Sequence, residues 1–401
     1  MTRRRANTRL ALLTLLALLT ACGGGTATGA DDAAADPPAQ LAVSDIVDTA
    51  AESAATNEPL DDLCRRVFVD APFVPELTVG LVADVASIDD GTFNQAAFEG
   101  MEAAGRCFGV ATTFLESAGD DAAAQIASMV DAEVDIVITV GFQFQEATLD
   151  AAADRPDVRF IGVDQGNEPE LANYVAISFR DDQVGFLAGA MAGLLTESNI
   201  VAVIAGPETI PPVVAIADGF EAGARLTRPG VVVLRRHLDS FVDGPVGADQ
   251  AAAFVEDGAD VVFGAAGESG AWAIRTAAAS GAAVIGVDQD EYFTTFAGGA
   301  EAHADGIVTS AIKRVDLGVF LTIAAMASGE VSGGGFVLDA TNGGVTYAPF
   351  HEADIAPEVA GELERIRRQL ATGELVPMAD GDAGEASDPA AGDGASDTDS
   401  E

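Results

Sequence analysis

From Thr78 onward, short apolar runs alternate with helix-like stretches at a spacing that predicts strand, loop and helix in regular succession. Apolar runs fall at Thr78 to Asp84, Val110 to Leu115, Val134 to Val140, Arg159 to Val163 and Tyr174 to Phe179. Stretches such as Ala122 to Asp131 and Gln145 to Ala153 between them read as helices. A second series places strands at Ile200 to Ala205, Val231 to Leu234, Asp260 to Ala265 and Ala282 to Val287, with helices at Val213 to Arg225, Val246 to Glu256 and Gly270 to Ala279. Such alternation implies parallel strands with helices on both faces. Two similar α/β halves imply two lobes around a cleft.

The crossings follow from the same pattern. Asp181 to Leu195, DDQVGFLAGAMAGLL, has acids in its first turn and small residues after, as suits a helix packed close against a neighbour. The first crossing is placed near Ser178 to Asp182. GIVTSAIK (306–313) and the helical run Val315 to Ala327 suggest a return to the first lobe, FVLDATNGGVTYAP a crossing back, and Ile355 to Ala371 a closing amphipathic helix. The expected lobes are therefore 76–180 plus 310–333 and 181–309 plus 334–375. Several crossings make a hinge on which lobes close over a ligand.

In an open parallel sheet the carboxyl ends of the strands face the ligand crevice. The stretch TVGLVADVASIDDGTFNQAAFEG (78–100) puts Asp84 at a strand end and Asp89, Asp90, Phe93 and Asn94 on the following loop and helix start. Asp164 and Asp288 end apolar runs in the same way. Carboxylates accept hydroxyl protons, an amide donates and accepts, and a ring offers a stacking face, which suits a small polar ligand with a flat part. Helix capping is the competing explanation for any one of these acids.

The ends of the chain are of different composition. MTRRRANTRLALLTLLALLTAC combines arginines with an apolar run of signal-peptide length, too short to span a bilayer. Its Leu19-Thr20-Ala21-Cys22 ending resembles the bacterial lipobox, so residues 1–21 are expected to be a lipoprotein signal peptide and Cys22 the lipidated first residue. Residues 22–75 open with GGGTATGADDAAADPPAQ, too poor in large apolar residues to fold, and read as a flexible tether, with a short helix somewhere in Leu41 to Leu63. Residues 379–401 are acidic without a basic residue and are expected to be a disordered tail.

A formal charge of −44 argues against binding nucleic acid, since phosphate contacts need Lys and Arg clusters absent here. Outside the cytoplasm Cys64 and Cys107 are expected to pair as one disulfide, with two separate buried thiols as the alternative. The three histidines, His237, His303 and His351, show no metal-ligand spacing, and no GxSxG, Walker A or HExxH occurs. No cofactor, metal or catalytic constellation is expected. A secreted hydrolase would need a metal-binding aspartate cluster or a nucleophile, and IDDG, the nearest candidate, is not one.

Nine pieces in order resemble the basic membrane protein family, also called purine nucleoside receptor-like lipoproteins: GLVADVASIDDGTFNQAAFEG, VITVGF, FIGVDQ, FRDDQVGFLAGAMAGLL, VAVIAGPETIPPVVAIADGFEAG, HLDSFVDGP, GADVVFGAAGESG, VIGVDQD and TSAIKRVD. They cover the chain from about Thr78 to Pro349. The resemblance implies an α/β, type I periplasmic binding protein fold with two doubly wound parallel-sheet lobes joined by a multi-strand hinge. It also implies a monomeric, lipid-anchored receptor on the extracytoplasmic face, serving the permease and ATPase subunits of an ABC importer. In the family's best-understood members one ring from each lobe sandwiches a purine base, while acids and a lysine hold the ribose. By resemblance the rings are Phe93 and Phe241, the polar loop residues Asp84 and Asn94, the cleft acid Asp164, and the ribose-facing group Gly267, Asp288 and Lys313.

The residues themselves bear on this. Lys313 is the only lysine in a chain that otherwise uses Arg, which fits a site needing a compact ammonium with three rotatable protons, against chance survival of one lysine. Phe93 and Phe241 sit among polar neighbours, TFN and DSFVD, rather than inside apolar runs. The chain departs from the family at Ala86 and Ser87, where glycines are usual, and at Glu268, where a small residue is usual. Glu268 would accept a ligand hydroxyl, repel an anion or face solvent. Trp272 fits helix–sheet packing better than the pocket. A ligand sensor or surface interaction protein on the same fold, or a binder of another small polar ligand, is the alternative function.

Overall fold

The computed structural model describes residues 58–68, 74, 76–116, 121–327, 329 and 333–377. The expected signal peptide, Cys22, most of the tether and the acidic tail lie outside the described residues. In chain order the elements are α1 (Leu60–Val67), β1 (Thr78–Val82), α2 (Phe93–Phe108), β2 (Ala111–Leu115), α3 (Ala122–Asp131), β3 (Ile136–Val140), α4 (Gln145–Asp154), β4 (Arg159–Val163) and β5 (Tyr174–Phe179). The second series is α5 (Asp181–Leu195), β6 (Ile200–Ala205), α6 (Pro211–Thr227), β7 (Val232–His237), α7 (Gly244–Glu256), β8 (Val261–Ala265), α8 (Gly267–Ala279), β9 (Ala283–Asp288), α9 (Glu291–Thr294) and β10 (Ile307–Lys313). Last come α10 (Val315–Ala327), β11 (Gly334–Leu338), β12 (Val345–Tyr347) and α11 (Pro357–Thr372).

These form two six-stranded sheets with the same order, β2-β1-β3-β4-β5-β11 and β7-β6-β8-β9-β10-β12. All pairings are parallel except β10 with β12. β3, β8 and β10 are buried along their whole length because helices cover both faces, which is why they lack the alternation of apolar and polar positions of a half-exposed strand. Each lobe has a core on either side of its sheet; in the first, α2 and α10 fill one side, α3 and α4 the other.

Two expected boundaries change. Residues 310–313, assigned to the first lobe, complete β10 in the second sheet, where 310–312 pair with β9 and Lys313 with β12. Gly334–Leu338, assigned to the second lobe, pairs with β5 in the first sheet. The chain therefore crosses at Arg180, at Arg314 and between Leu338 and Val345. β10 is buried on both faces and β11 is a short edge strand with alternating exposure, and neither pattern tells which sheet the strand joins.

The close helix packing expected of Asp181 to Leu195 is present. A Cβ on Gly185 would stand 1.8 Å from the Ile216 carbonyl oxygen, so α5 and α6 meet backbone to backbone. Cys64 of α1 and Cys107 of α2 are joined by a disulfide, with Cα atoms 6.0 Å apart. Among the described residues no helix is long and apolar enough to cross a membrane.

Candidate functional site

The carboxyl ends of both sheets converge on one cavity of about 700 Å³, counted with its open mouth. The first lobe contributes Asp84 and Ala86 after β1, Asp90, Thr92 and Phe93 at the start of α2, Gly141 to Gln143 after β3, and Asp164 after β4. The second contributes Ile210, Pro212, Val213 and Ile216 at the start of α6, Phe241 after β7, Ala265 and Gly267 around the end of β8, Val287 and Asp288 ending β9, and Lys313 ending β10.

Asp84, Phe93, Asp164, Phe241, Gly267, Asp288 and Lys313 thus share one cavity. Asn94 does not line it. Its amide Nδ2 donates to Asp84 Oδ1 at 2.9 Å and to the Ala86 carbonyl at 3.3 Å, so it stands behind Asp84 and orients that carboxylate. The first turn of α2 packs on the end of β1 and turns the amide inward. Glu268 is exposed and lies with Asp89 and Trp272 around a separate hollow at the rim, so of its three readings it faces solvent. Trp272 is 43% exposed and lies against Gly244 of α7, in neither pocket nor helix–sheet core.

The cavity has a polar pole where the lobes cross. Lys313 Nζ lies 2.5 Å from Asp164 Oδ2 and 2.8 Å from Asp181 Oδ1, and 5.0 and 4.6 Å from the ring centroids of Phe93 and Phe179. The approach to Asp181 has ion-pair distance without the angle of a directed hydrogen bond, so charge holds it. Burial opposes the ammonium, but Asp164, Asp181 and Asp288 together outweigh it and hold Lys313 above its ordinary value. The reverse balance holds for the acids. Burial pushes Asp288 up to about 7 despite Lys313, with Asp164 adding repulsion. Burial also raises Asp181, against the pull of Lys313, and raises Asp84, against the hydrogen bond from Asn94. Asp90 is pushed up to about 6 by burial, against backbone N–H bonds from Thr92, Gln95 and Asn94.

Asp164 and Asp288 occupy corresponding strand ends in the two lobes, and both have left-handed backbone, φ 58° and 65°. Asp is one of the few side chains that tolerates this conformation, and such local strain collects at binding sites. Asp164 Oδ1 is buried without a hydrogen-bond partner, which leaves an acceptor for a ligand donor.

The opposite pole is apolar. Phe142 of the first lobe packs against the second lobe's core, beside Ile210, Val213 and Ile216. Phe241 is seated because residue 206 is glycine: a Cβ there would be 2.2 Å from its Cε1. The lobes also touch at the rim, where Gln289 Nε2 donates to the Thr92 carbonyl at 2.9 Å and Thr294 Oγ1 to the Gly91 carbonyl at 2.7 Å.

In the sequence alone Asp181 is one of two acids in a helix's first turn, and the apolar wall carries no distinguishing mark. Asp181 stands in FRDDQ, where one of two adjacent acids is buried and the other pairs with Arg180. Only the alternation of burial at the crossing separates the two. Among the described residues no group of three or more His, Cys, Asp or Glu is arranged to hold a metal ion.

Two parallel α/β lobes thus meet at a polar and aromatic cleft built from their strand ends. A solute-binding protein of an ABC transporter system from Aeropyrum pernix K1 has the same fold, with a TM-score of 0.67 at 21% identity over 76% of this chain and 95% of that one. The chain belongs to the family of PnrA-like ABC transporter substrate-binding proteins, whose model matches residues 77–360. Relatives include a CD4+ T-cell-stimulating antigen of Listeria innocua, 26% identical over 75% of this chain and 87% of the relative. Another is the ABC transporter nucleoside-binding protein BmpA of Lactococcus lactis, 28% identical over 67% of this chain and 81% of the relative.

Proposed function

We propose that this substrate-binding protein captures a nucleoside, with purine nucleosides preferred, and delivers it to a permease while anchored by lipid at Cys22 on the extracytoplasmic face. The observation that carries this reading is the division of the cleft into two poles. Phe93 and Phe241, one from each lobe, offer stacking faces, Phe93 beside Lys313 and Phe241 against the apolar wall. Asp84, Asp164, Asp288 and Lys313 offer several acceptors and one strong donor, the complement of a sugar with adjacent hydroxyls. The naming of the Lactococcus lactis relative as nucleoside-binding supports the same ligand class.

The magnitudes are adequate. Stacking contributes about 1–3 kcal/mol per base face, and each hydrogen bond to a charged group about 1.5–3 kcal/mol. A micromolar complex needs roughly 8 kcal/mol after the costs of ordering and desolvation, which two rings and a few charged contacts supply. The net negative pole would repel a phosphate, so the ligand is an unphosphorylated nucleoside. Calorimetric titration of the purified chain with adenosine, guanosine, inosine, uridine, adenine and ribose tests the reading. Purine nucleosides should bind at micromolar or tighter Kd, with adenine and ribose much weaker. Silence across the panel from folded, ligand-free protein would sink the assignment.

A further inference from the structure

Asp181 is a buried acid beside Lys313 that does not line the cavity. It opens α5 immediately after the first crossing and is buried there. Its neighbour Asp182 pairs with Arg180 instead, Arg180 Nη2 donating to Asp182 Oδ2 at 2.6 Å. The carboxylate of Asp181 reaches the ammonium of Lys313, the last residue before the second crossing, at 2.8 Å. On another side of that ammonium is Asp164 of the first lobe.

We propose that Asp181 is a positioning residue: with Asp164 it grips the Lys313 ammonium where the chain crosses between lobes, and so fixes the site's only lysine with its remaining donor toward the ligand. Three observations converge on this. Lys313 is 2% exposed, so its charge needs carboxylate partners inside the protein. Its stem is flexible, and one carboxylate alone leaves the ammonium free to pivot about that contact; a second, from a different element, removes the pivot. The two partners come from different lobes, so the grip is complete only when Asp164 is brought to Lys313 and Asp181. The ammonium is therefore set for the ligand in the same movement that assembles the cleft.

The inference rests on the nucleoside reading only for what the ligand is. Because the chain has a single lysine, protein labelled with ¹⁵N-lysine gives one side-chain ammonium resonance. In the full wild-type chain this resonance should be protected from solvent exchange. Asp181→Asn should speed its exchange and weaken purine nucleoside binding roughly tenfold or more, the loss expected when one charge-assisted hydrogen bond to the ligand is misaligned. Asp182→Asn should change neither. A wild-type ammonium that exchanges as fast as free lysine overturns the proposal even if Asp181→Asn fails to fold. So does an Asp181→Asn protein with unchanged resonance and affinity. If no nucleoside binds wild type while Asp181→Asn still frees the ammonium, the ligand assignment fails and the grip stands.

Discussion

Asp288→Asn should stabilise this protein at pH 8 while weakening ligand binding. Asp288 is 9% exposed, and burial pushes its carboxyl up to about 7, the attraction of Lys313 being outweighed. Between about pH 4 and pH 7 the folded chain holds a proton on Asp288 that the unfolded chain has released. Stability therefore falls as pH rises through that interval and levels off above it. From the ordinary carboxylate value near 4 to about 7, at ~1.36 kcal/mol per pH unit, the full cost of the buried charge is of order 4 kcal/mol. Asparagine carries no charge, keeps the shape, and tolerates the φ of 65° at this position. The variant should gain a few kcal/mol over wild type above pH 7, and the gain should vanish toward pH 3. Urea unfolding of both proteins at pH 4, 6 and 8, with equal m-values, is the assay. No gain at pH 8, or an equal gain at every pH, would refute the reasoning.

Three further outcomes follow from the geometry. Lys313→Met leaves Asp164, Asp181 and Asp288 without their counter-charge; it should cost about 3–5 kcal/mol at pH 8 and less at pH 6, where Asp288 holds its proton, in the same unfolding assay. Gly206→Ala places a methyl 2.2 Å from the Phe241 ring and should displace it, weakening nucleoside binding by about 1–3 kcal/mol in a titration with little change in fold by circular dichroism. Cys64→Ser opens a link between residues 43 apart and should cost roughly 2–5 kcal/mol in thermal or urea unfolding, with reduction of wild type giving a similar loss.

Much of the frame was legible because strands buried on both faces and helices of small residues leave different marks on a sequence. The two-lobed α/β class follows from that alternation alone. The strand-end rule located Asp84, Asp164 and Asp288 at one crevice, and the scarcity of lysine singled out Lys313. What escaped was information that only packing creates. Asn94 has the chemistry of a ligand contact but turns behind Asp84, a choice made by how the first turn of α2 meets β1. The apolar wall of Phe142, Ile210, Val213 and Ile216 looks like ordinary core in one dimension. Asp181 and Asp182 are adjacent and identical in type, and only the crossing decides which is buried. The sheet to which 310–313 and 334–338 belong was hidden because both segments are short and neither pattern says which neighbouring strand it pairs with.

The crystal structure of the protein with a purine nucleoside such as inosine tests the central claim most directly. The account predicts the base between Phe93 and Phe241, next to the apolar wall, and the ribose hydroxyls within hydrogen-bond distance of Asp164, Asp288 and Lys313. A nucleoside bound with its sugar among Phe142, Ile210 and Val213, or bound outside this cleft altogether, would contradict it.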